Sequence, residues 1–330
     1  MPIPSPLFDP GPIIERILAG TIWSPHFPLR RTERLAQLSP KDEPIPRAGG
    51  LYRIHREGGQ PVLAYVGHSS SLRRRINELA TGVYGERMPF STPHVAAPAL
   101  WAWAKTPPYA PLTLSFVSFD ANTYWQQGLQ HLIIAFERGQ RRKQASLAEQ
   151  AGNILYSPLA QYGKMPHGWS PSSTRTVGER GEPTMVAGQW HVPSIAPVSI
   201  LDDQQDAFSD GWGGHEWSDW CYAREVPMHG KQKGLYRLRM QDSSHLWYVG
   251  CGQIASAARG AACTSPALLF SAVMGTWTRS EQEELRTDLL GLYMCQRKRP
   301  PLVQHGGLEN DPAGKLLHQS DDACSTERGE

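Results

Sequence analysis

The feature that most limits what this chain can become is that it repeats itself. GLYRI at 50–54 returns as GLYRL at 234–238, AYVG at 64–67 as WYVG at 247–250, and SPLAQYG at 157–163 as PPLVQHG at 300–306, always in the same order. Ahead of the last pair, the apolar helix pattern of Leu132, Ile133 and Phe136 is answered by Leu289, Leu290 and Tyr293. Strands and a helix that recur in this way predict two related cores rather than one, and 330 residues are enough to bury both. The distance between matching segments shrinks from 184 residues to 143, so the first copy is the longer, with its extra residues within 82–111 and 139–156.

Each copy reads locally as a hairpin with a helix after it, then a further strand and helix. In the first copy, β-prone runs at 51–54 and 62–66 flank Gly58 and Gly59, as in a hairpin. SSSLRRRINELATG follows as a helix, with Ser70 or Ser71 as N-cap and Gly82 as its stop. LTLSFVSF at 112–119 alternates as a half-buried strand does, and Trp125, Leu129, Leu132, Ile133 and Phe136 recur at helical spacing over 123–138. The expected class is α/β (α+β), with two modules that are each a small, mainly antiparallel three-stranded sheet flanked by helices. Residues 1–49 are expected as an N-terminal arm, 50–165 as the first domain and 166–230 as a Gly-, Pro- and Trp-rich connection. The second domain follows at 231–307 and a flexible tail at 308–330. Trp212, Trp217 and Trp220 in the connection are expected as packing anchors, the common fate of an indole.

The formal charge is only +2, so any surface for a polyanion has to be local. Three clusters qualify: Arg73, Arg74 and Arg75; Arg141, Arg142 and Lys143; Arg297, Lys298 and Arg299. Five scattered cysteines without a C-x-x-C pair argue against a disulfide framework or a zinc knuckle and for a reducing, cytoplasmic setting. No leader pattern and no apolar run of membrane-spanning length are present, so no membrane partner is expected. A phosphate-binding nucleotide loop, a serine elbow and a metal-spaced His/Cys cluster are all missing from the sequence, which leaves a small-molecule enzyme without support.

GLY at 50–52 and YVG at 65–67, followed by Leu72 and by Arg75 ten residues after Tyr65, resemble the GIY-YIG nuclease superfamily. That family carries its two tyrosine triplets on a hairpin, an arginine on the next helix and a glutamate on a later one. The resemblance implies a metal-dependent endonuclease, acting on DNA rather than RNA, in restriction or defence. Phosphodiester hydrolysis needs an activated water, a cation at the non-bridging oxygens and a metal at the leaving oxygen. By the resemblance, Tyr52 orients or deprotonates the water, Tyr65 stands beside it, and Arg75 clamps the phosphate with its planar fork of donors. His68 and His55, near the first hairpin, are candidates for extra acid–base groups, and by the resemblance Asn153, before the SPLAQYG segment, answers to an asparagine that steadies the site in relatives.

The second copy supplies Tyr236, Tyr248 and Arg259, but that arginine comes eleven residues after its tyrosine. One residue of slip turns a helical side chain by about 100°. The metal, Mg²⁺ or Mn²⁺, calls for a carboxylate. The glutamate position falls on Gln130 or Leu129 in the first copy and on Arg286 or Thr287 in the second, where Glu283 lies one turn earlier. Two functions follow from different classes: an endonuclease whose two modules act as an intramolecular pseudo-dimer on double-stranded DNA, with Gln130 and Glu283 at the metal, or an inactive nuclease fold that binds nucleic acid through the retained tyrosines and arginines.

Overall fold

The computed structural model describes residues 8–29, 45–57, 62–85, 94, 96, 97, 100, 101, 104, 111–140, 195–227 and 230–306. The SPLAQYG segment, Asn153, the cluster at 141–143, the Gly58–Gly59 turn and the tail lie outside these residues.

Strands form where the sequence alternates. In the first copy β2 (Gly50–Arg56) pairs antiparallel with β3 (Val62–Ser69) and with β4 (Leu112–Ser118). In the second, β6 (Lys233–Met240) pairs in the same way with β7 (Tyr248–Gln253) and β8 (Leu268–Met274). The α+β class is as expected, and each sheet gains a fourth strand. β1 (Phe27–Pro28) from the arm pairs with β4, and β5 (Cys221–Tyr222) from the Trp-rich connection pairs with β8, giving the orders β1-β4-β2-β3 and β5-β8-β6-β7.

Those extra strands extend the repeat beyond what the motifs disclose. Trp23-Ser24 and Trp217-Ser218 occupy equivalent places. The Ser24 N–H donates to the Phe116 carbonyl and the Phe116 N–H to Ser24 Oγ; Ser218 and Ala272 make the same pair of bonds. Arg53 donates through Nε to Ser115 Oγ and lies 3.8 Å from the Trp23 ring. Arg237 donates to Ser271 Oγ and lies 4.4 Å from Trp217. The indole thus takes up a guanidinium that the strand alternation has turned inward.

Helices cover both faces. α2 (Leu72–Val83) lies on the outer face of the first sheet and α4 (Ile254–Thr264) on that of the second. α3 (Thr123–Gln140) and α5 (Arg279–Arg297) lie between the sheets and pack on each other. Gly291 allows their close approach, because a Cβ there would stand 2.4 Å from the Ala135 Cβ and 2.8 Å from the His131 carbonyl. A short α1 (Gly11–Leu18) packs on α3. Gly82 does not stop α2: it is buried within the last turn, and the helix ends one residue later. Ser71 is the N-cap, although its side chain caps no N–H. Among the described residues no helix is long and apolar enough to cross a membrane.

Candidate functional site

The two tyrosine triplets meet across each hairpin for a steric reason. Tyr52 pairs across the ladder with Gly67, and Tyr236 with Gly250. A Cβ on Gly67 would lie 2.1 Å from the Tyr52 ring, and one on Gly250 2.3 Å from the Tyr236 ring. Each glycine is the floor on which the opposite tyrosine lies flat. The first glycine of each triplet has a similar cause: Gly50 and Gly234 face the carbonyls of Val117 and Val273, where a Cβ would stand about 2 Å away.

In the first module Tyr52 and Tyr65 pack with ring centroids 6.0 Å apart on the outer face. Burial pushes the Tyr52 phenol well above its usual range; Tyr65 adds to the rise, and Arg75, which reaches Tyr52 from α2, opposes it. Arg75 is 27% exposed and lies 3.5 Å from Glu78. The structure therefore gathers Tyr52, Tyr65 and Arg75. It adds His94, which the sequence reading missed: Tyr52 Oη and His94 Nε2 are 2.5 Å apart, and the imidazole lies edge-on to both tyrosine rings. His94 is fully buried, and burial, reinforced by Arg75, holds its pKa well below the ordinary value, so the ring is neutral. It comes from the insertion at 82–111, where no periodicity marks it and where only its being a histidine in the longer copy could have singled it out.

Gln130 arrives from the other side of the sheet. Its Oε1 accepts from His68 Nδ1 at 2.7 Å and its Nε2 donates to the Val66 carbonyl at 2.8 Å. His68 is paired with Leu51, an inner-core residue, so this cluster faces α3 while the tyrosines face α2. Burial lowers the His68 pKa, with Gln130 opposing and Arg75 assisting. The alternative position, Leu129, is wholly in the core. His55 is buried near His26, their ring centroids 4.7 Å apart, well apart in the ladder from the Tyr52–Gly67 pair.

The second module arranges its groups differently. Tyr236 and Tyr248 are half-buried and stacked at 6.1 Å, and Tyr236 also stacks on Phe270. Arg259 is exposed on α4. Arg286 of α5, 29% exposed and 2.6 Å from Glu283, is a cation whose charge couples to both tyrosines. Although burial works against it, Glu283, Cys251 and the two tyrosines raise its pKa, so it stays charged. Thr287, the other alternative, donates to the Glu283 carbonyl within its own helix. The PPLVQHG segment is structural in this copy: Leu302 and Val303 donate N–H bonds to Leu246 and Trp247, and Gln304 Oε1 accepts from the Val249 N–H.

A hard divalent cation needs oxygen ligands including a carboxylate. Of the two expected positions, 130 holds an amide and 283 a carboxylate. Both ends of the Gln130 amide are engaged, Glu283 is paired with Arg286, and among the described residues no group of three His, Cys, Asp or Glu side chains comes together. Comparison of the chain with protein-family models, curated proteins and solved structures gave no match in any of the three.

Proposed function

We propose that this chain is a nucleic-acid-binding protein built from two degenerate GIY-YIG-like modules, with double-stranded DNA as ligand and the first module as its phosphate-gripping half. The observation that carries the reading is the cluster of Tyr52, Tyr65 and Arg75, combined with an amide, engaged at both ends and on the other face of the sheet, at the sequence position that answers to the nuclease glutamate. Arg75 is the solvent-reachable cation of this cluster and supplies the charge-assisted bonds to a phosphate oxygen. The second module contributes the rest of the frame, with Arg286, a candidate for its glutamate position, standing as a cation beside Tyr236 and Tyr248.

Fluorescence anisotropy with a labelled duplex over a salt series is the direct test. Binding that weakens linearly on a log–log salt plot and drops in Arg75→Ala supports the proposal. Plasmid cleavage with Mg²⁺ or Mn²⁺ that disappears in Tyr52→Phe would move the chain to the endonuclease class. Failure to bind duplex, single strand or RNA would sink both readings. Gln130→Glu is expected to lose the bond to the Val66 carbonyl, to lower stability by roughly 1–3 kcal/mol in chemical denaturation, and to gain no cleavage.

A further inference from the structure

The tautomer of His94 is fixed by its second nitrogen. The Ala96 backbone N–H donates to Nδ1 at 3.2 Å, so Nδ1 carries a lone pair and, in a neutral ring, Nε2 carries the proton. The carbonyl of His94 itself also lies near the ring and favours the opposite tautomer. That contact is closed within one residue and cannot approach a linear N–H···O arrangement, whereas the Ala96 N–H is a donor that cannot be turned off. Nε2–H then donates to the Tyr52 oxygen across the 2.5 Å contact.

We infer that His94 is a positioning residue that holds Tyr52 protonated and fixed beneath Arg75, so that the first module grips a phosphate oxygen through Arg75 and its tyrosine does not deprotonate a water. A histidine that already donates to the phenol cannot accept its proton. The phenol proton is left to point toward Tyr65, while Arg75, which meets solvent on that side, donates to the phenol oxygen. The second module cannot copy this, because only residues 265–267 separate α4 from β8, against 84–111 in the first. The role assigned to the bound phosphate rests on the proposed function; the wiring of His94 and Tyr52 does not.

The test uses the full-length protein labelled with ¹⁵N-histidine. Long-range ¹H–¹⁵N correlation at neutral pH, with His94 assigned through His94→Gln, is expected to show Nε2 protonated and Nδ1 bare. The reverse pattern, with Nε2 accepting from Tyr52, overturns the inference and leaves the binding reading standing. In duplex binding, His94→Leu is expected to weaken affinity about fivefold to tenfold, the worth of one buried hydrogen bond, and His94→Gln to recover most of it through its amide donor. Equal losses in both variants, or an inflection between pH 7 and 9 in wild-type binding that Tyr52→Phe removes, also overturn it. If the tautomer is as assigned but no variant nor wild type binds nucleic acid, the proposed function fails and the positioning of Tyr52 remains.

Discussion

At Gly67 the first sheet has no room for a methyl group, because the Tyr52 ring fills the space a Cβ would need. Gly67→Ala is therefore expected to cost about 1–3 kcal/mol, as overpacking of a core does, measured by urea denaturation. Gly250→Ala is expected to cost less, because Tyr236 is half-buried and its ring has solvent to move into. This pairing is why the two triplets were legible in the sequence: each pins a tyrosine and a glycine to facing positions, and the constraint acts over a few residues of chain. His94 was not legible, since its partner Tyr52 is 42 residues away and nothing local requires a histidine there. Arg286 was legible only as a position that lacked a carboxylate; its charge acquires meaning from Glu283, one turn earlier on its own helix, and from Tyr236 and Tyr248, which two strands bring to it.

Where α3 crosses α5, charge is buried along with apolar surface. Arg138 donates to Asp288 through Nε at 2.8 Å and to Glu284 through Nη2 at 2.9 Å, and the backbone of Ile195 and Val198 donates to the same carboxylates. Arg138→Met would leave two buried carboxylates without their cation, and the expected loss is about 3–5 kcal/mol by denaturation, with Asp288→Asn costing much less. His131 lies at the same crossing, stacked on His305 at 4.9 Å with Nδ1–H donating to the Gln127 carbonyl. Burial, helped by Arg286 and His68, holds its pKa down to about 4. Because the folded value is below the unfolded one, the fold favours the neutral ring. Its contribution is complete above about pH 6.5 and is lost as pH falls toward 4, at about 1.4 kcal/mol per unit. Asp288, which burial pushes up to about 6 against the pull of Arg138, acts with the opposite sign over this range. Comparing the stability–pH curve of wild type with that of His131→Gln isolates the histidine: the variant should lose less stability between pH 6.5 and 4.

At the scale of the whole molecule, one apolar core joins the modules. It takes Leu51, Leu63 and Val66 from the first sheet, Leu235 and Val249 from the second, both inner helices, and Trp212 and Trp217 from the connection. Each fully buried leucine in it contributes roughly 1.5–3 kcal/mol relative to exposure, and part of that is lost if one half leaves. The two modules are expected to unfold in a single transition. Hydrogen exchange checks it: Gly67→Ala should lower protection in β6–β8 as well as in its own sheet, and protection that falls in the first module alone would show separable units. The sequence by itself determined the duplication, the α+β class, the hairpins and the inner helices, because these follow from alternation, helical period and glycine–tyrosine pairs that act within short spans. Tertiary structure alone decided the rest. It added the fourth strand of each sheet, whose only sequence trace is Trp23-Ser24 echoed by Trp217-Ser218; it set His94 on Tyr52; and it separated Gln130 from the tyrosine face. Such contacts link residues far apart in the chain, and their energy depends on burial and on partners that no local pattern encodes.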